Sequence, residues 1–103
     1  MFTLEREPVH PGEILKEEFL EPLGISQSAL ARSLHTSFRA INELVNEKRG
    51  ITTEMALKLS RYFGTSAQLW LNLQNEHDLY KTMQKKGRDI ETIKQCEKIE
   101  AAS

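Results

Sequence analysis

Apolar residues recur along this chain at helical spacing, and the polar positions between the apolar blocks carry helix start and stop signals. The first block, Ile14, Leu15, Phe19, Leu20 and Leu23, faces away from Glu13, Glu17, Glu18 and Glu21 and predicts an amphipathic helix over about 13–21. His10-Pro11-Gly12 opens it, since Pro lacks an N–H only where none is needed, and Pro22 with Gly24 ends it. Residues 1–9 read as an extended arm.

The next two blocks form a pair. Ser26 is a good N-cap for a short helix whose inward residues are Leu30, Ala31 and Leu34. Ser37 caps a second, with Phe38 or Ile41 facing inward beside Leu44 and Val45. The small Ala31 lets the two helices cross closely, while Leu30, Leu34, Ile41 and Leu44 fill the angle between them, which is the spacing of a helix-turn-helix. His35 occupies the turn position where Gly is common, and His adopts a positive φ less freely.

Ile51 then tucks back towards the core, and Thr53-Glu54 caps a fourth helix to about Phe63, stopped by Gly64. Ser66 caps a fifth, 67 to about 83, in which Leu69, Trp70 and Leu73 close the core. Leu71 and the outer edge of Trp70 fall off that line. Either Trp70 is core alone, or it joins Leu71 and Gln74 in a dimer interface. Past Gly87, Ile90, Ile93 and Ile99 make a weak amphipathic pattern that packs on the fifth helix, packs on a dimer mate, or frays. The expected architecture is all-α: a five-helix domain built around a helix-turn-helix over 1–83 and a helical C-terminal extension over 84–103.

The outer face of the second helix of the pair carries Arg39, Asn42, Glu43 and Asn46, with Lys48 and Arg49 in the following loop. Arg can bond guanine O6 and N7 in a bidentate manner, and Asn can do the same with adenine N6 and N7. Lys48 and Arg49 suit phosphate, and Gln27 at the start of the preceding helix can add a phosphate contact beside free backbone N–H groups. The candidate DNA-binding set is therefore Gln27, Ser37, Phe38, Arg39, Asn42, Asn46, Lys48 and Arg49.

The formal net charge of the 103 residues is −1, awkward for a nucleic-acid binder, but the charge is unevenly spread. Residues 1–23 carry six acids against Arg6 and Lys16, whereas residues 26–50 carry Arg32, Arg39, Lys48 and Arg49 against Glu43 and Glu47. An acidic and a basic surface suggest two different partners. Cys96 is alone, so no internal disulfide is possible and a reduced, cytoplasmic protein is expected. No apolar run reaches the length of a membrane span. His10, His35, His77 and Cys96 have no metal-ligand spacing, and there is no phosphate-binding Gly-rich loop or nucleophile elbow; neither a metal, a cofactor nor an enzyme is expected.

The combination of Pro11-Gly-Glu-Ile-Leu15, Ser26-Gln27, Leu30-Ala31, Ile41-Asn42-Glu43, Lys48-Arg49-Gly-Ile-Thr52, Phe63-Gly-Thr-Ser66 and Trp70-Leu-Asn-Leu-Gln74 resembles the HigA antitoxins, also called virulence-associated protein I. These are Cro and lambda-repressor-like helix-turn-helix proteins. The resemblance implies a homodimeric bacterial antitoxin that binds a HigB-type ribonuclease toxin and represses its own operon at an operator. It carries the recognition role onto Arg39 and Asn42, and the motif-opening Gln onto Gln27; His35, Phe38 and Glu47 depart from the pattern. Two other functions fit the same residues: a stand-alone helix-turn-helix regulator without a toxin, and a protein-interaction module whose acidic first helix docks a basic partner.

Overall fold

The computed structural model describes residues 7–98, and these fold into five helices with no strand among them. The first, α1, runs over residues 11–23 and changes pitch on the way: α-helical over Pro11–Ile14, π-helical over Leu15–Leu20, α-helical again over Glu21–Leu23. Pro22 explains the change. In a regular α-helix its ring would press on the Glu18 carbonyl; the wider π turn relieves that clash, and the Glu21 N–H reaches the Lys16 carbonyl. The proline expected to end the helix is thus carried inside it, and Gly24 at φ 64 provides the stop.

The remaining elements are α2 (Gln27–Ser33), α3 (Phe38–Val45), α4 (Thr53–Phe63) and α5 (Ala67–Glu91). Ser26, Ser37 and Ser66 cap their helices as expected, each hydroxyl accepting from the N–H three residues on. The cap of α4 is Thr52 rather than Thr53. Both helices of the pair end in a Schellman turn. Thr36 N–H bonds the Ala31 carbonyl around His35 (φ 55), and Lys48 N–H bonds the Glu43 carbonyl around Glu47 (φ 61). His35 and Glu47 hold the left-handed geometry that glycine adopts without strain, at a cost of roughly 1 kcal/mol each.

The core joins all five helices through Leu15, Leu20, Leu30, Leu34, Ile41, Leu44, Ile51, Leu59 and Trp70. Ala31 is buried at the α2–α3 crossing, and Ile41, not Phe38, is the inward residue of α3. Trp70 is wholly buried: Phe19 packs on it at 5.4 Å between ring centroids, and its Nε1 donates to Thr65 Oγ1 at 2.9 Å. No wet edge is left for a partner, so Trp70 is core alone. Leu69 and Leu71 exchange their expected places, Leu69 being exposed and Leu71 packed against the core. Leu69 and Leu71 flank Trp70 on opposite sides of the helix; the core lies on the Leu71 side, so Leu71 is half-buried and Leu69 turns outward.

α5 is also longer than the pattern suggests, 25 residues with no break at Gly87, which packs beneath Met83. Its far half keeps Leu79 and Ile90 exposed and extends the molecule to 53 × 23 × 23 Å. The chain then leaves the helix; Ile93 is 73% exposed, and Ile99 and the first six residues of the expected N-terminal arm lie outside the described residues.

The structure joins two histidines that sequence separation keeps apart. The Nδ1 of buried His10 accepts from Gly12 N–H at 2.9 Å and so caps α1, while its ring meets that of His77 of α5 edge-on at 4.8 Å. Burial, followed by the nearby His77, pushes the His10 pKa below 6.5; Glu47 and Asp78 oppose the shift without reversing it. The unfolded chain therefore binds this proton at higher pH than the folded one. Stability from neutral His10 is complete above 6.5 and is lost as pH falls from there through the folded value. Melting temperature is expected to drop between about pH 7.5 and about pH 5.5, with a smaller drop in His10→Asn, whose amide can still cap the helix. An unchanged slope in that variant would rule out His10 as the source.

Candidate nucleic-acid interface

α3 stands on the body through Ala40, Ile41, Leu44 and Val45, all buried. That leaves one side of the helix outward. Phe38 is 51% exposed, the Arg39 side chain is 83% exposed, Asn42 and Glu43 are half-buried, and Asn46 at the helix end is exposed. Ser37 sits at the head of this face with its hydroxyl engaged in the cap.

Two hydrogen-bonded groups organise the surface. In the first, Asn42 Nδ2 donates to Gln27 Oε1 at 3.1 Å and Asn46 Nδ2 donates to Asn42 Oδ1 at 3.2 Å. This carboxamide row ties the first turn of α2 to the second half of α3 and its C-cap. In the second, Glu43 sits between two arginines: Arg39 Nε donates to its Oε2 at 2.9 Å, and Arg49 Nη2 and Nε donate to its Oε1 at 2.8 and 3.1 Å. The hydrogen bond from Arg39, then that from Arg49, holds the Glu43 carboxyl below the usual carboxylate range. Lys48 follows the Schellman turn, exposed at the end of the helix.

All eight residues expected to meet DNA thus lie on α3, on its cap and following loop, or on the first turn of α2, and the hydrogen bonds connect five of them. Glu43 is visible on the outer face in sequence but has no part assigned there; its i,i+4 spacing to Arg39 is the signal that places it. Gln74, expected at a dimer interface, is occupied inside the protomer. Its Oε1 accepts from Ile51 N–H at 2.6 Å and its Nε2 donates to Asp78 at 3.0 Å, so it braces the loop that follows α3. Among the described residues no three His, Cys, Asp or Glu side chains converge on a metal position, and no helix is long and apolar enough to cross a membrane.

The helix-turn-helix family profile matches residues 16–70, from within α1 to Trp70. Virulence-associated protein I of Dichelobacter nodosus is 57% identical over 75 residues, covering 73% of this chain and 69% of its own. Antitoxin HigA-1 of Vibrio cholerae is 36% identical over 94 residues, covering 91% and 89%. Among solved structures, Pseudomonas aeruginosa antitoxin HigA with the higBA promoter superposes with a TM-score of 0.81 at 49% identity, covering 85% of this chain and 96% of that one. The chain belongs to the HigA and virulence-associated protein I family of helix-turn-helix proteins.

Proposed function

We propose that this chain is the antitoxin of a type II toxin–antitoxin pair, a homodimer that occupies operator DNA, represses its own operon and neutralises a HigB-type ribonuclease toxin. The observation that supports the reading is the outward face of α3, where Arg39 is exposed and Asn42 half-buried on the side turned away from the core, on a scaffold like that of an antitoxin solved with promoter DNA. The protein acts in the cytoplasm, without a cofactor and not as an enzyme. A second protomer is the occupant suited to the apolar residues that the fold leaves exposed, Leu57 and Tyr62 of α4 and Leu69 and Leu79 of α5. Their pairing must set the two α3 helices about 34 Å apart on one side of the duplex.

Arg39 and Asn42 read bases, so their loss is expected to be specific. Asn42→Ala should weaken binding to the DNA upstream of the gene by about 1–3 kcal/mol, and Arg39→Ala should weaken it by about tenfold or more, with little change on scrambled duplex. Lys48→Ala should weaken both duplexes alike and reduce the salt slope by about one. Fluorescence anisotropy at two or more salt concentrations measures all three, and an upstream affinity indifferent to Arg39 and Asn42 would dismiss this face as the reader. Co-purification with the product of the adjacent gene separates an antitoxin from a stand-alone regulator.

A further inference from the structure

A carboxylate in the middle of a DNA-reading surface repels the phosphates that surface must approach, so Glu43 requires a reason to be there. Its contacts supply one. Glu43 holds Arg39 by Nε alone, and the two terminal nitrogens of that guanidinium have no hydrogen-bond partner among the described residues. Those terminal nitrogens are the pair that guanine O6 and N7 accept from. A free arginine of four rotatable bonds would sample many directions, whereas the Nε bond from the next turn of the same helix restricts them. On its other oxygen Glu43 takes two bonds from Arg49, withholding that guanidinium from backbone phosphate. Arg49 must therefore give up two bonds before it can present that side of its guanidinium to a phosphate, whereas Arg39 can meet a guanine while still held; the carboxylate beside both also offsets their charge and so weakens the attraction of either for phosphate.

We infer that Glu43 is a specificity-determining positioning residue, which aims the terminal nitrogens of Arg39 at a guanine and keeps Arg39 and Arg49 from indiscriminate phosphate binding. This rests on α3 being the DNA-reading helix. A negative residue there lowers affinity for any duplex and lowers it least for the right one, so discrimination rises at the expense of raw affinity.

Glu43→Gln tests it, since the amide keeps the shape and loses the charge. Affinities for the upstream duplex and for a scrambled duplex of equal length and composition are measured with salt titrations, alongside thermal melts. The expected result is tighter binding to the scrambled duplex with a salt slope steeper by about one, and a ratio of upstream to scrambled affinity reduced by about tenfold. In the Arg39→Ala background the same substitution should still tighten binding to scrambled DNA through Arg49, but most of its effect on the ratio should vanish. An unchanged ratio, with both duplexes bound equally tighter, would reduce Glu43 to a bulk charge. A ratio that falls equally with Arg39 present or absent would mean that Glu43 itself contacts a base, and would likewise overturn the inference. Arg39→Ala alone distinguishes the two levels: if it leaves upstream affinity intact, the reading of α3 fails; if it weakens that affinity while Glu43→Gln leaves the ratio unmoved, only the role of Glu43 fails.

Discussion

Trp70→Ala is expected to remove about 3–5 kcal/mol of folding stability, the cost of emptying a buried indole site. Trp70 is the largest fully buried side chain. The site cannot collapse easily, because its walls come from separate elements: Phe19 of α1 lies on the indole at 5.4 Å, and Phe63 at the end of α4 lies on Phe19 at 4.6 Å. The substitution also leaves Thr65 Oγ1 without the Nε1 donor that meets it at 2.9 Å. A domain of this size has roughly 5–15 kcal/mol in total, so the variant should be partly unfolded near physiological temperature. Urea denaturation followed by circular dichroism reads the change as a shift in midpoint at nearly constant slope. A loss below about 1.5 kcal/mol would mean the site relaxes or the indole packs less tightly than described. Trp70→Phe, which keeps most of the volume, should lose appreciably less.

Much of this architecture is legible in local chemistry. Ser26, Ser37 and Ser66 announce helices because an N-cap acts over three residues and needs no tertiary information. The α2–α3 pair follows from Leu30, Ala31, Ile41 and Leu44, and the expected positive φ at His35 follows from where the turn must lie. Other features depend on distant residues. Helical periodicity cannot say whether Leu69 or Leu71 accompanies Trp70 inward; the position of α4, which packs along α5, decides it. Pro22 signals a break, and only the switch to π geometry lets it stay inside α1. Gln74 looks like a surface amide on an apolar helix, yet it serves Ile51 N–H, 23 residues away in sequence. At the candidate interface the residue types are legible, but the pairing of Gln27 with Asn42 spans 15 residues and arises only once α2 and α3 are crossed. His10 is the plainest case: nothing in its surroundings along the chain points to the His77 ring that meets it.

Gly12→Ala is expected to be the most damaging small change, because the space beside this glycine is filled by backbone. A methyl group placed on Gly12 would lie 1.9 Å from the Leu44 carbonyl oxygen and 2.9 Å from its carbon, with His10 Nδ1 at 3.1 Å. Leu44 belongs to α3, whose carbonyls cannot swing aside as a side chain could. The N-terminus of α1 must therefore back away, breaking the His10 cap and opening the core at Leu15 and Leu44, at an expected cost of about 3 kcal/mol or more. Gly24→Ala provides the control. Gly24 has φ +64, and a methyl group there would meet nothing within 4 Å, so its variant should lose only about 1 kcal/mol through backbone strain. For a domain near 100 residues that difference corresponds to roughly 10 °C or more in melting temperature. If both variants melt alike, close approach is not what Gly12 provides. The same contact links stability to function, since α1 meets α3 from behind while the reading face points away. Gly12→Ala should therefore weaken upstream-duplex binding even though Gly12 touches no DNA, and saturating duplex should recover part of the lost melting temperature by binding only the folded state.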